Sequence, residues 1–181
     1  MRATVLALPG PILIEPSKHG DERGWFCETF KADWFKENVA DVNFVQDNQS
    51  FSSNTGTIRG LHYQKPPFGQ GKLVRVIVGA LYDVAVDIRP YSPNFGKWIG
   101  IELSAENSKQ LWIPDGFLHG FCTLKPNTEI SYKVTAPYNA LCDAGIAFDD
   151  PEIGIKWPID IATATISDKD KSQARLDSLR N

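Results

Sequence analysis

Short runs of β-branched and aromatic residues, separated by glycine, proline and asparagine, recur along most of this sequence. Runs of this kind at intervals of roughly ten residues are typical of an antiparallel sandwich or barrel. The run LYDVAVDI at 81–88 alternates clearly, so that Tyr82 and Val84 share one face while Asp83 and Asp87 share the other. Strands are therefore expected at 11–15, 25–30, 43–51, 57–64, 72–78, 81–88, 98–103, 109–113, 119–124 and 128–135.

Two segments have helical character instead. In KADWFKENVA at 31–40, Phe35 and Val39 lie four residues apart, which places them on one face of a helix. The polar tail at 168–180 predicts a second, short helix. The chain shows no internal repeat, linker or low-complexity segment. We therefore predict a single all-β domain spanning 1–181, a jelly roll with short peripheral helices.

The charge and composition of the chain exclude some classes of partner. The formal net charge is −3, so neither a nucleic acid nor an anionic membrane surface is an expected partner. No apolar run approaches the length of a membrane span, and no signal peptide is expected. Cys27, Cys122 and Cys142 form no C-x-x-C motif, so we interpret them as packing thiols of a cytoplasmic protein.

The stretch RGLHYQKPPFGQGKLVRVIVG at 59–79 places cations among apolar residues and contains no carboxylate. His62 and Lys72 both alternate with apolar or small neighbours, so both are expected to point inward. A regular strand would put Arg59, three residues from His62, on the opposite face. Gly60 would permit a bulge that turns both side chains toward one ligand cavity at the mouth of the barrel.

A second histidine, His119, lies in IPDGFLHGF at 113–121, and the two histidine segments together resemble the two motifs of the cupin superfamily. Metal-binding cupins take two histidines and a glutamate from the first motif and one histidine from the second. Here the first motif offers only His62, and Lys72 stands where the glutamate is expected. Because a protonated lysine repels a divalent cation, we predict a cupin jelly-roll barrel that needs no metal or other cofactor. The plainer alternative is that both histidines are core residues.

A fixed cation suits a reaction that builds negative charge on oxygen, such as proton removal beside a ketone. His62 is the candidate base, since an imidazole titrates near neutral pH, and Lys72 would stabilise the enolate oxygen. Inverting the carbon requires a separate acid on the other face. Tyr132 shares the inward alternation of Ile130 and Val134, and a phenol is protonated at neutral pH. The alternative for Tyr132 is an ordinary barrel aromatic.

These residues belong to a longer resemblance. Over nearly its whole length the chain resembles the dTDP-4-dehydrorhamnose 3,5-epimerase family, in motifs whose order and spacing agree. The matching segments are DERGWFCETF (21–30), FVQDNQS (44–50), IRGLHYQ (58–64), QGKLVRVIVGALYDVAVDIR (70–89), IPDGFLHGF (113–121), SYKVTAPYN (131–139), GIKWP (154–158) and SDKD (167–170).

The resemblance implies a set of catalytic roles. His62 matches the family's proton-abstracting base, and Asp170 matches the acid that pairs with it. Tyr132 matches the proton donor on the other face. Lys72 and His119 match sugar-binding residues, with Lys72 beside the reacting oxygen. The implied reaction is epimerisation at C3 and C5 of a dTDP-4-keto-6-deoxyhexose through an enolate, a step of dTDP-rhamnose biosynthesis.

The resemblance also implies contacts to the nucleotide. The family's nucleotide and pyrophosphate contacts match a set of polar residues, namely Gln46, Asp47, Asn48, Arg59 and Lys169. Tyr138 matches an aromatic residue that stacks on one side of the thymine. The family's usual glutamate is replaced here by Asp143, a shorter side chain for the same contact.

A homodimer is implied as well. Arg23, Phe26 and Glu28 match residues that the family exchanges between its two subunits, with the aromatic ring near the thymine. Two departures affect the substrate detail and the tail, because Phe148 stands where tryptophan is common and the tail lacks the usual proline.

Two other functions stay open at this point. A monofunctional 3- or 5-epimerase of a nucleotide-linked 4-keto-6-deoxy sugar would retain most of the same residues. A metal-dependent or non-catalytic sugar-binding cupin is a more distant alternative. Lys72 argues against the metal, and an inward Tyr132 facing His62 argues against simple binding.

Overall fold

The structure is a computed structural model that describes residues 1–180. Within that range the chain forms strands, two short α-helices and two 3₁₀ turns. The strands are β1 Arg2–Val5, β2 Ile12–Glu15, β3 Lys18–Asp21, β4 Gly24–Cys27, β5 Gln46–Ser52, β6 Ile58–Gln64, β7 Lys72–Val78, β8 Ala80–Asp87, β9 Trp98–Ser104, β10 Gln110–Ile113, β11 Phe117–Thr123, β12 Thr128–Val134 and β13 Asp143–Gly145. The helices are α1 Ala32–Asn38 and α2 Asp168–Lys171, and the 3₁₀ turns are Ile161–Thr163 and Leu176–Leu179.

The strands form two main antiparallel sheets. A six-stranded sheet has the order β1-β2-β10-β7-β12-β5, and a five-stranded sheet has the order β13-β6-β11-β8-β9. The two sheets pack face to face as a jelly-roll sandwich that stays open at its edges, so the predicted fold class is confirmed and the barrel is not closed. Neighbours along each sheet are mostly distant in sequence, which brings residues from separate motifs onto one wall.

The sequence pattern located most of the strands. Each predicted run overlaps a strand, whereas β1, β3 and β13 were missed because they are short and lack apolar alternation. Helix α1 lies inside the predicted segment 31–40, and the predicted tail helix is divided into α2 and a 3₁₀ turn. No helix within residues 1–180 is long and apolar enough to cross a membrane.

The main core lies between the two sheets, and a second apolar layer covers the six-stranded sheet from outside. The inner core is aliphatic and aromatic, and includes Val74, Val76, Leu81, Ala85, Leu103, Leu111, Ile113, Phe117, Phe121 and Ile130. On the outer face, Phe35 of α1 packs edge-on against Trp112 at a centroid distance of 5.4 Å. The side chains that point between the two sheets are therefore mostly apolar, and the polar ones gather where this core ends.

The C-terminal segment covers the outer face of the five-stranded sheet. Leu176 is fully buried among Leu61, Val84 and Leu118, and its backbone N–H donates to the Asp150 carboxylate over 2.9 Å. This packing fixes the course of the tail, and so places α2 against β6 near the open end of the sandwich.

The hairpin β3–β4 forms a separate two-stranded sheet that pairs with neither main sheet. Its aromatic side chains are largely uncovered, with Trp25 64% and Phe26 69% exposed. Exposed aromatic rings on an isolated hairpin are typical of a surface that a partner covers.

Truncation of Leu176 should destabilise the protein. Leu176→Ala removes a fully buried side chain and should lower the free energy of unfolding by about 2–5 kcal/mol, measured by urea denaturation. Leu141→Ala is the matched control, because Leu141 is 94% exposed, and its effect should stay within roughly 0.5 kcal/mol. Equal, small effects of the two variants would show that the tail is not packed as described.

Candidate active site

A polar cavity opens where the core between the sheets ends. It has two adjoining lobes with volumes of about 280 and 330 Å³. The five-stranded sheet contributes His62 and His119, and the six-stranded sheet contributes Lys72 and Tyr132. A ligand in this cavity would therefore have the histidines on one side and the lysine and tyrosine on the other.

A bulge in β6 gives the cavity wall its shape. His119 of β11 pairs with His62, but Phe121, two residues on, pairs with Arg59, so β6 carries one extra residue. Gly60 lies in this bulge with a φ of 123°, and a Cβ there would come within 2.6 Å of the Gly120 Cα. Only glycine fits such a close approach of two backbones. The bulge predicted at Gly60 is present, and it turns both Arg59 and His62 toward the cavity.

His62 forms a tight pair with Asp170. The His62 Nε2 lies 2.7 Å from Asp170 Oδ1, while Asp170 Oδ2 accepts a hydrogen bond from the Gly60 N–H at 3.0 Å. Burial acts to raise the pKa of Asp170, but these hydrogen bonds outweigh it and hold the pKa below its ordinary value. The carboxylate thus stays ionised and fixes the ring so that Nδ1 is left for the ligand.

The position of Asp170 follows from the tail. Ser167 caps the start of α2, its hydroxyl accepting from the Asp170 N–H at 3.1 Å. Asp170 is 3% exposed, whereas the side chain of His62 is 30% exposed. The tail therefore places the buried Asp170 carboxylate behind His62, whose ring remains accessible from the cavity.

A second histidine–carboxylate pair stands beside the first. His119 Nε2 lies 2.7 Å from Asp83 Oδ1, and Asp83 is fully buried. Among residues 1–180, Asp83 Oδ2 has no hydrogen-bond partner. Sequence reasoning did not assign a role to Asp83, although the alternation of β8 put its carboxylate on the face it shares with Ala85. An acidic residue on an inward face of an apolar strand was the sequence signal that could have identified Asp83, because a buried charge needs a partner.

Lys72 is the buried cation of the site. Desolvation lowers the pKa of Lys72 to about 8, and the charges of Asp83 and Asp143 act in the opposite direction. Asp83 and Asp143 act on the Lys72 ammonium through their charges and not through a hydrogen bond. Such a group interacts strongly with negative charge that forms on a bound ligand, because little water screens it.

Tyr132 faces the cavity from β12, across from the two histidines. Burial raises the pKa of the Tyr132 phenol, and the nearby charge of Arg59 acts to lower it. The phenol is therefore protonated at neutral pH and can donate a proton to a ligand. A base on one sheet and an acid on the other suits the inversion of a carbon held between them.

The outer lobe of the cavity is rimmed by polar residues. Lys169 forms an ion pair with Asp143, whose Oδ2 also accepts from the Tyr138 hydroxyl at 3.3 Å. The hydrogen bond to Asp143 raises the pKa of Lys169. Gln46 and Asn48 of β5 also line this lobe.

Four residues with predicted binding roles lie outside this cavity. Asp47 points to the other face of the sheet and pairs with Lys133 at 2.9 Å, because it alternates with Gln46 and Asn48 along β5. The prediction that Asp47 contacts the nucleotide therefore finds no support in this cavity. The hairpin β3–β4 carries Arg23 and Phe26, and Glu28 follows it directly. Arg23 forms an ion pair with Asp21 of the same hairpin. The predicted roles of Arg23, Phe26 and Glu28 need a second subunit.

The donor groups of the cavity do not form a metal centre. Within residues 1–180 no group of three or more histidine, cysteine, aspartate or glutamate side chains could hold a metal ion. His62 and His119 each bind a carboxylate through Nε2. Metal independence stays a prediction that rests on the position of Lys72.

Comparison with known proteins gives the family. Residues 5–178 match the family model described as dTDP-4-dehydrorhamnose 3,5-epimerase. The chain is 60% identical over 164 residues to the dTDP-4-dehydrorhamnose 3,5-epimerase of Sinorhizobium fredii, which covers 91% of this chain and 84% of the relative.

Solved structures agree. The dTDP-6-deoxy-D-glucose-3,5-epimerase of Legionella pneumophila, in complex with dTDP-4-keto-L-rhamnose, matches with a TM-score of 0.92 and 42% identity, over 97% of this chain and 93% of that chain. The dTDP-4-dehydrorhamnose 3,5-epimerase of Bacillus anthracis, with TDP and PPi bound, matches with a TM-score of 0.91 and 44% identity, over 96% of this chain and 99% of that chain. The fold and the polar cavity thus define an isomerase of the jelly-roll class. This chain belongs to the dTDP-4-dehydrorhamnose 3,5-epimerase family.

The charge of Lys72 should control the alkaline side of the pH profile. Because the pKa of Lys72 is about 8, its cation is present at lower pH and is lost as the pH rises through that value. The kcat/KM for epimerisation, which reports the free enzyme, should therefore fall above about pH 8.

Two substitutions at the same position test this assignment. Lys72→Met should lower kcat/KM by on the order of a hundredfold at pH values where wild-type Lys72 is charged. The difference from wild type should narrow as the pH rises above about 8, where Lys72 itself becomes neutral. Lys72→Arg keeps a charge that does not titrate in this range, so whatever activity it retains should not decline near that pH. An unchanged alkaline decline in Lys72→Arg would assign the titration to another group.

Proposed function

We propose that this protein converts dTDP-4-dehydro-6-deoxy-D-glucose into dTDP-4-dehydro-L-rhamnose by epimerisation at C3 and C5. One observation carries the proposal: an accessible histidine held by a buried carboxylate faces, across a single cavity, a protonated tyrosine beside a buried lysine. Groups in this arrangement can invert a carbon next to a ketone, because a proton can be removed on one face and returned on the other.

The first step is proton removal. The C4 ketone acidifies the protons at C3 and C5, and His62 accepts each proton through Nδ1. Asp170 stabilises the imidazolium that forms, since its Oδ1 lies 2.7 Å from the other ring nitrogen. The C–H electron pair moves into the C3–C4 or C4–C5 bond, and the carbonyl oxygen becomes an enolate oxygen.

The second step returns a proton from the other face. Lys72 lies beside the enolate oxygen and stabilises its charge. Tyr132 donates its phenolic proton to the carbon, and the ketone re-forms. His119, held by Asp83 at 2.7 Å, binds sugar hydroxyl groups on the wall next to His62.

The nucleotide occupies the outer lobe and the rim. Arg59 and Lys169 supply cations for the pyrophosphate, and Tyr138 offers an aromatic face to the thymine. The bound dTDP-4-keto-L-rhamnose of the Legionella pneumophila relative and the TDP of the Bacillus anthracis relative support this class of ligand.

A homodimer completes the site in this proposal. The exposed hairpin of one subunit reaches the nucleotide site of the other and places Phe26 on the second side of the thymine, near Arg23 and Glu28. The support is the 69% exposure of Phe26 on a hairpin whose strands pair with neither main sheet. A cytoplasmic location is part of the same proposal.

Removal of the carboxylate behind the base should slow proton abstraction. Asp170→Asn should lower kcat by on the order of a hundredfold or more, because the amide neither fixes the reactive tautomer nor stabilises the imidazolium. His62→Ala should abolish exchange at both carbons. Nucleotide affinity, measured by calorimetry with dTDP, should change little in either variant. Full activity of Asp170→Asn would remove the pair from the mechanism.

Removal of the acid should separate proton loss from inversion. In Tyr132→Phe the base and Lys72 remain, so the substrate should still exchange protons with solvent while little inverted product forms. Incubation in heavy water followed by NMR measures both. Wild type should incorporate deuterium at C3 and C5, and the variant should show its largest defect in inversion at C5.

The same experiment distinguishes the remaining alternative. Deuterium at one carbon alone in the wild type would indicate a monofunctional 3- or 5-epimerase. Unimpaired inversion at both carbons in Tyr132→Phe would show that Tyr132 only lines the cavity.

A further inference from the structure

A buried amide beneath the rim makes contacts that the proposed reaction does not use. Gln64, at the end of β6, is 5% exposed and lines the outer lobe of the cavity. Its Nε2 donates to the Phe68 carbonyl at 2.7 Å and to the Pro137 carbonyl at 3.1 Å, and its Oε1 accepts from the Asn139 N–H at 2.7 Å. Both hydrogens of the amide are therefore used, and so is its oxygen.

Two of these partners flank a single residue. Pro137 and Asn139 are the neighbours of Tyr138, so the Gln64 amide holds the peptide groups on both sides of that tyrosine. The Tyr138 N–H itself donates to Gln46 Oε1 at 3.1 Å. The backbone around Tyr138 is thus fixed by side chains that belong to two different sheets.

Tyr138 depends on this support of its backbone because its own side chain is largely exposed. It lies in the loop between β12 and β13, outside any strand, and it is 59% exposed. Its only side-chain hydrogen bond within residues 1–180 joins the hydroxyl to Asp143 at 3.3 Å. The direction of the ring therefore depends on the backbone that carries it.

We propose that Gln64 is a positioning residue that presents the Tyr138 ring to the nucleobase of the substrate. This inference rests on the proposed function, since the thymine is the ligand that the ring would stack on. An aromatic platform held in place before binding loses less conformational freedom when the nucleotide arrives. Gln64 acts on binding and not on proton transfer, because Asp170 holds His62 independently.

Replacement of the amide should weaken nucleotide binding selectively. Gln64→Met has a similar volume and lacks every hydrogen bond of the amide. Its Kd for dTDP, measured by calorimetry, and its KM should both rise about tenfold, which corresponds to about 1.4 kcal/mol. Its kcat should stay within roughly threefold of wild type. Gln64→Glu should behave similarly, because a carboxylate oxygen would face two carbonyls.

A matched control separates positioning from general destabilisation. Thr128→Val also removes a buried hydrogen-bonding group, because the Thr128 hydroxyl bonds the Lys125 and Ala80 carbonyls. Thr128 lies on β12, four residues before Tyr132. The substitution should lower the melting temperature without changing the KM or the dTDP affinity. An equal rise of KM in Thr128→Val would overturn the positioning role.

A double-mutant cycle tests whether Gln64 acts through Tyr138. If it does, adding Gln64→Met to Tyr138→Ala should cause little further loss of dTDP affinity. Additive losses would overturn the proposal, as would a Tyr138→Ala variant with wild-type affinity. The Tyr138→Ala variant tests the proposal even if Gln64→Met does not fold. It should fold itself, because Tyr138 lies on the surface.

The outcomes for wild type separate the two proposals. Wild-type protein that binds dTDP but does not turn over the 4-keto sugar would refute the proposed reaction and leave the role of Gln64 to be decided by the affinities. Active wild type together with an unchanged KM in Gln64→Met would refute the role of Gln64 alone.

Discussion

The hydrogen bond between Asp170 and His62 is the contact on which the site depends. It joins two residues 108 positions apart, and the packing of the tail on the outer face of the five-stranded sheet holds Asp170 in place for it. Asp170 also accepts from the Gly60 N–H within the bulge that aims His62 inward. One carboxylate therefore links the C-terminal segment, the shape of the cavity wall and the orientation of the His62 ring.

The charges in the cavity are arranged by depth. The carboxylates Asp83 and Asp170 lie behind the histidines and are almost fully buried, whereas Lys72 is desolvated at the cavity wall. Each carboxylate is engaged by a histidine, so the cation is left for the ligand. An environment of low polarity makes this separation effective, because fixed charges act strongly there and need no reorganisation during the reaction.

The sequence predicted the layers of the fold better than the contacts between them. Alternation identified the strands that face the core, and the glycine in the first motif predicted the bulge that brings Arg59 and His62 together. Along β5, alternation places Asp47 on the opposite face from Gln46 and Asn48, whereas the resemblance implied the same role for all three. The partners of His119 and Tyr138 come from β8 and β6, and such pairings depend on the order of strands in the sheet. That order is not encoded in any local pattern.

The 30% exposure of the His62 side chain has a kinetic consequence. In the proposed reaction one inversion leaves an imidazolium on one sheet and a phenolate on the other, which is the reverse of the protonation state that begins it. After the first of two inversions, the histidine and the tyrosine are therefore both in the wrong protonation state for the second. Before the second inversion the ring must lose its proton to solvent, and the phenol must regain one. His62 is exposed toward the cavity that the sugar fills, so in the proposed reaction this exchange with water takes place when the sugar has moved away from the ring.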